Sequence, residues 1–165
     1  MVKILFVHGF NNFLSEERRN ILEQYFEVIA PEFDYNNAQN LFYELSQIIE
    51  NENIKAIIAN SMGGVFAYYL AEKYDLPALC FNPALCIIEE VRKHAEIPEI
   101  IPKSNKITFV IGGKDTTVPA LISFDWLAKN VHPDFILKWY NSMGHHTEIS
   151  VLDIEVKQFF EKYFS

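Results

Sequence analysis

The sequence predicts an α/β fold of three layers, α/β/α, built on a mostly parallel six-stranded sheet with helices on both faces. Three observations predict it. Six short apolar runs rich in β-branched residues alternate with segments of helical periodicity along all 165 residues. Half the residues are hydrophobic and fourteen are Phe, enough to fill a packed interior. The unusual loops, after His8, Ser61, Asn82, Asp115 and Gly144, all follow strands. Right-handed crossovers bring every strand's carboxyl end to one edge, where open α/β sheets bind ligands.

In chain order, Lys3 to Val7 is the first strand, apolar and central, ending at the turn-forming His8-Gly9-Phe10-Asn11-Asn12. Ser15 caps a helix running to about Phe26, with acids in its first turn and Ile21, Leu22 and Phe26 on one side. Val28 to Ala30 is a short strand stopped by Pro31. Asn37 or Asn40 starts a helix with Leu41, Leu45, Ile48 and Ile49 as its apolar stripe. Ile54 to Ile58 is the third strand, and Val65 to Tyr74 the helix behind the Ser61 turn. Ala78 to Phe81 is the fourth strand, closed by Asn82-Pro83. The segment 84–104 begins helical and is broken by Pro98 and Pro102. It is too short for a separate lid, though long enough to cover part of a cleft. Lys106 to Ile111 is a strand, Leu121 to Asn130 a helix, Phe135 to Tyr140 the last strand and Ile149 to Tyr163 the last helix. One domain over 1–165 is expected.

Composition excludes some roles. A formal net charge of −8 argues against a nucleic-acid or anionic-membrane surface. No apolar run has the length of a membrane span, and Met1 leads straight into strand pattern without a cleavable leader, so a cytoplasmic protein is expected. Cys80 and Cys86 lie in apolar surroundings and are expected as buried free thiols rather than a disulfide. Neither has the His or Cys company of a metal site.

The chemistry centres on Ala59-Asn60-Ser61-Met62-Gly63-Gly64. Strand, sharp turn holding a Ser, then helix is the context of a G-x-S-x-G elbow, with Ala59 where Gly is usual. The turn lifts the hydroxyl above the sheet edge and sets the Met62 N–H at a helix N-terminus, where it can stabilise an oxyanion. Alone, the Ser would read as a helix cap. A serine hydroxyl needs a base to take its proton and an acid to orient that base. Asp115 follows the fifth strand and His145 the sixth, in the chain order Ser, Asp, His. Alone, Asp115 would read as turn chemistry. Asp34 is the rival acid, in a loop facing the same edge but before Ser61 in the chain. His146 is the rival base; His145 is favoured because it directly follows Gly144, whose freedom lets the loop turn back over the edge. His94 and His132 suit the surface, and Asn82 suits a hydrogen bond within its own turn.

His8-Gly9-Phe10, Asn60-Ser61-Met62-Gly63-Gly64, Gly113-Lys114-Asp115-Thr116-Thr117-Val118-Pro119 and Gly144-His145 resemble the four signature loops of an α/β-hydrolase. The resemblance spans the whole chain and is closest to small single-domain bacterial esterases of the YqiA type, a minimal α/β-hydrolase without a cap domain. It implies Ser61 as nucleophile, His145 as general base and acid, and Asp115 as orienting carboxylate. It also implies backbone N–H groups of Phe10 and Met62 as the oxyanion hole, which His8 shapes. The implied activity is hydrolysis of a small-molecule carboxylic ester or thioester, with no metal or organic cofactor. A non-catalytic interaction module on the same fold, or an amidase, peptidase or acyltransferase using the same residues, are the alternatives.

Overall fold

The computed structural model describes residues 1–165. Val2–Val7 (β1) enters the interior at Ile4 and stays buried through His8. Glu16–Leu22 (α1) is capped by the Ser15 hydroxyl, which accepts from the Arg18 N–H, and carries Glu16 and Glu17 in its first turn. The helix expected to reach Phe26 stops at Leu22, and the strand expected at Val28 begins at Phe26–Ile29 (β2). The reason is pairing: Phe26 sits opposite Val2 in the parallel ladder and is completely buried among aromatic rings. Ladder bonds and burial there outweigh one more helical turn.

A 3₁₀ turn, Tyr35–Asn40, precedes Leu41–Asn51 (α2). Its cap is Asp34, whose carboxylate accepts from Asn36 N–H, so neither Asn37 nor Asn40 supplies a side-chain cap. Ala56–Asn60 (β3) runs two residues further than expected, and Met62–Tyr74 (α3) starts three residues earlier. Ala78–Phe81 (β4) is followed by a 3₁₀ turn and Ile88–His94 (α4). Ile107–Gly112 (β5), Ala120–Asn130 (α5), Ile136–Tyr140 (β6) and Ile149–Tyr163 (α6) complete the chain.

The sheet order is β2-β1-β3-β4-β5-β6, and every pairing is parallel, not merely most. Alternation along the strands sorts the core. Ile4, Phe6 and Ile58 face the layer of α1 and α6, meeting Leu22, Leu152 and Phe159. Leu5, Val7 and Ile57 face the other layer, meeting Leu45, Phe66, Leu70 and Leu127 of α2, α3 and α5. Residues Gly63 to Glu72 of α3 are buried without a break, so this helix forms the spine of that layer. The Glu72 carboxylate, 2% exposed, accepts from the N–H groups of Lys103 and Ser104 and so ties the proline-broken segment to the spine. No helix is long and apolar enough to cross a membrane.

Connections run one way from β1 to β2 and the other way from β3 onward, so the switch lies between adjacent β1 and β3. The β1 loop holds His8 and Phe10; the β3 turn holds Ser61. That crevice is where an open α/β sheet leaves room for a ligand.

Candidate active site

Ser61 has φ 52° and ψ −122°, a conformation that side-chain-bearing residues adopt only when their surroundings force it. Two contacts force it. The Ser61 N–H donates to the Phe81 carbonyl, which continues the sheet, while its carbonyl accepts from Gly64 and Ala84, which starts the helix. Gly63 lies so close to β1 that a Cβ there would stand 2.1 Å from the Val7 carbonyl oxygen and 2.6 Å from that of His8. Backbone strain of this kind costs on the order of 1–3 kcal/mol. The Ser61 side chain makes no helix-capping bond. Its Oγ lies 3.0 Å from His145 Nε2 instead.

His145 Nδ1 lies 2.8 Å from Asp115 Oδ2. A carboxylate accepts, so Nδ1 carries the proton and Nε2 is free to accept from the serine hydroxyl. The Asp115 side chain is 1% exposed, and its other oxygen accepts from the N–H groups of Thr117 and Val118 at 2.9 and 2.8 Å. Those two bonds prevent rotation of the carboxylate and hold its negative charge. Ser61, Asp115 and His145 therefore stand in one hydrogen-bonded line, from three loops at one edge of the sheet.

The rivals stand elsewhere. Asp34 is exposed and bonded to Asn36 and Asn37. The exposed His146 packs edge-on against the His145 ring, and His145, not His146, reaches Ser61. His94 is exposed, and His132 bonds only the N–H of its neighbour Asp134. Gly144 does not act as expected: no glycine has positive φ, and a Cβ there would meet nothing within 4 Å. The loop is turned back by Asn82. This residue does not bond within its own turn; its amide donates to the carbonyls of Gly144 (3.0 Å) and His145 (2.8 Å), and its oxygen accepts from Gly112 N–H (2.7 Å).

His8 is 3% exposed and stacked on Phe33 at 4.1 Å. Its Nε2 accepts from Phe33 N–H, so Nδ1 donates to the Gly9 carbonyl, and both nitrogens are occupied by main chain. The Tyr35 hydroxyl donates to the His8 carbonyl. Together these bonds fix the turn that presents Phe10. The N–H groups of Phe10 and Met62 donate to no backbone acceptor, which leaves both available beside Ser61.

A cavity of about 480 Å³ opens before Ser61 and His145, walled by Phe10, Phe13, Arg18 and Thr147. An apolar groove of about 260 Å³ adjoins it across Phe10, lined by Tyr35, Met62, Phe66, Val91 and Ala95. The segment after Asn82 thus contributes α4 to the wall of this groove. Cys80 and Cys86 are free thiols, and burial pushes the Cys80 thiol up to about 12. No cluster of His, Cys, Asp and Glu has the arrangement of a metal site.

Three solved structures place the fold. Acyl-protein thioesterase 2 of Zea mays superposes with a TM-score of 0.62 at 18% identity, covering 97% of this chain and 93% of its own. Alpha/beta hydrolase domain-containing protein 10 from mouse gives 0.74 at 13% identity, over 97% and 88%. An esterase of Pyrococcus furiosus gives 0.70 at 15% identity, over 99% and 83%. At these identities the likeness is one of fold: the chain has the α/β-hydrolase fold in a minimal form without a cap domain. No curated protein matches the chain in sequence. Residues 3–105 match the family described as Uncharacterised protein family (UPF0227).

Proposed function

The chain belongs to the Uncharacterised protein family (UPF0227), and we propose from its site that it is a serine hydrolase cleaving a carboxylic ester or thioester through an acyl-Ser61 intermediate. The observation that carries this reading is the line from Ser61 Oγ through His145 to Asp115, starting from a serine held in a strained turn. A serine serving only to begin a helix needs neither the strain nor the imidazole. The non-catalytic alternative leaves both unexplained.

In the proposed mechanism Ser61 Oγ attacks the acyl carbon as His145 Nε2 takes the hydroxyl proton. The imidazolium so formed stays hydrogen-bonded to Asp115, whose fixed carboxylate stabilises the charge without taking the proton. The carbonyl oxygen becomes an oxyanion, met by the N–H groups of Phe10 and Met62, the second at the positive end of α3. His145 then gives its proton to the departing oxygen or sulfur. Water, deprotonated by the same nitrogen, attacks the acyl-enzyme and releases the acid and free Ser61. Every proton in the cycle is moved by the chain's own groups, so no metal or organic cofactor is invoked. The substrate is a small-molecule ester or thioester entering the cavity before Ser61.

A fluorophosphonate probe should label the wild type and spare a folded Ser61→Ala variant. His145→Gln should abolish turnover of an activated ester, whereas His146→Gln should keep it. A wild type that neither labels nor hydrolyses such an ester returns the chain to the interaction-module reading. Loss of turnover in His146→Gln alone moves the base by one residue.

A further inference from the structure

The cavity before Ser61 is unevenly charged. Among the fifteen residues lining it, Arg18 is the one Lys or Arg, and none is Asp or Glu. Arg18 lies half-buried on α1 and takes part in none of the ion pairs of the molecule. Its Nη2 donates to the Thr147 carbonyl, which occupies one of five guanidinium donors. The guanidinium therefore faces a cavity whose lining holds no carboxylate to pair with it. Burial pushes the guanidinium below its ordinary value, partly opposed by Glu17, yet an arginine remains charged near neutrality.

The position of this charge relative to the reacting atoms is informative. His145, which donates its proton to the leaving group, lines the cavity holding Arg18 and not the apolar groove. Met62, the residue carrying one oxyanion donor, lines the apolar groove and not the cavity; Phe10 lines both. Ser61 lines the cavity, and the groove adjoins that cavity across Phe10, so two spaces open beside the Ser61 turn, one suited to a hydrocarbon chain and the other to a polar group with negative charge. Resting on the acyl-enzyme reading above, we infer that Arg18 is a specificity-determining residue that binds a carboxylate or phosphate on the leaving-group half of the substrate. The acyl half is apolar and lies in the groove between Phe10, Met62 and Val91. The guanidinium fork suits either anion.

Butyryl esters of glycolate, of 2-hydroxyethyl phosphate and of neutral glycolamide test this and separate the two anions. The wild type should favour one anionic ester over the amide by about 10- to 100-fold in kcat/KM, the range of a charge-assisted hydrogen bond, with the difference in KM. Arg18→Gln should collapse that ratio, and Arg18→Lys should keep part of it. Equal turnover of all three esters overturns the inference. So does an Arg18→Gln variant that slows charged and neutral esters alike, which would make Arg18 only a tether for Thr147. If no ester is turned over and Ser61 takes no probe, the acyl-enzyme reading has failed by itself. Calorimetric titration of Ser61→Ala with the same three esters then decides about Arg18: one of the two anionic esters should bind more tightly than the amide, and the added Arg18→Gln change should erase the difference. Equal binding of all three ligands to Ser61→Ala refutes it.

Discussion

The Asn82 side chain donates to the His145 main-chain carbonyl at 2.8 Å, a bond between residues 63 apart in the chain. The same side chain accepts from Gly112 N–H at the end of β5, which leads into the Asp115 turn. One buried amide thus sets the spacing of the two loops that carry Asp115 and His145. Asn82 also has φ 41°, which Asn tolerates better than most residues.

Asn82→Ala should therefore act on chemistry more than on binding. It leaves the Gly112 N–H buried without an acceptor, a stability cost of about 1–3 kcal/mol. A loop displacement of about 1 Å is enough for roughly a 10²-fold fall in kcat. KM for the same ester should change little. A variant with normal kcat would show that the loops hold their spacing without Asn82.

Asp115→Asn should keep the fold, because an amide oxygen can still accept from Thr117 and Val118. Its NH₂ would then face His145 Nδ1 and force the proton onto Nε2, the nitrogen that must accept from Ser61. The expected loss is about 10⁴ in kcat, as for the same change in the best-measured triad. Asp34→Asn, at an exposed 3₁₀ cap, should leave kcat within about 3-fold, since it alters only a local capping bond. The reverse ranking of the two variants would move the acid to the loop after β2.

These relationships were unequally legible in the sequence. Strand and helix order could be read because burial imposes periods of two and 3.6 on the chain itself. That Ser61, Asp115 and His145 come together could be read because each follows a strand, and parallel strands share an edge. Asn82 and Arg18 could not. Each acts by bonding main chain 30 to 129 residues away, and main-chain carbonyls carry no residue signature. The boundary near Phe26 was hidden for a related reason: helical spacing and strand burial both accept a Phe there, and only pairing with β1 decides. Gly144 misled because a glycine beside a candidate base invites a conformational explanation that its backbone does not need.

That contrast is testable in two alanines. Gly63→Ala would press a Cβ into the carbonyl oxygens of Val7 and His8, both main chain and unable to move aside. It should destabilise by several kcal/mol or prevent folding, as overpacking a rigid contact does, at about 1–3 kcal/mol or more. Gly144→Ala has open space and an ordinary backbone, so its melting temperature should match the wild type within error. If Gly63→Ala melts normally, α3 is free to slide away from β1, and the Ser61 turn is not held as described.

Alkaline pH should unfold the protein in a defined window. Burial pushes the Cys80 thiol from its ordinary 9.0 up to about 12. Burial pushes Tyr69 from 10.0 up to about 12, with Glu89 adding to the shift and Arg92 opposing it. Tyr140 is also pushed up to about 12, by burial and then by the hydrogen bond to Glu155. Each group is neutral when protonated, so above its ordinary value the unfolded chain has lost a proton that the native chain keeps. The unfolded state then binds fewer protons, and stability falls as pH rises. The contribution is fully present below pH 9 and is lost between pH 9 and 12, at up to about 1.4 kcal/mol per pH unit for the fully buried Cys80 and less for the partly solvated tyrosines. Urea unfolding at intervals from pH 8 to 11 should show a midpoint that falls progressively. Cys80→Ala should make the fall shallower, since the fully buried thiol no longer titrates. A midpoint flat to pH 11, or an unchanged slope in Cys80→Ala, would show that these groups ionise in the native state as readily as in the unfolded chain.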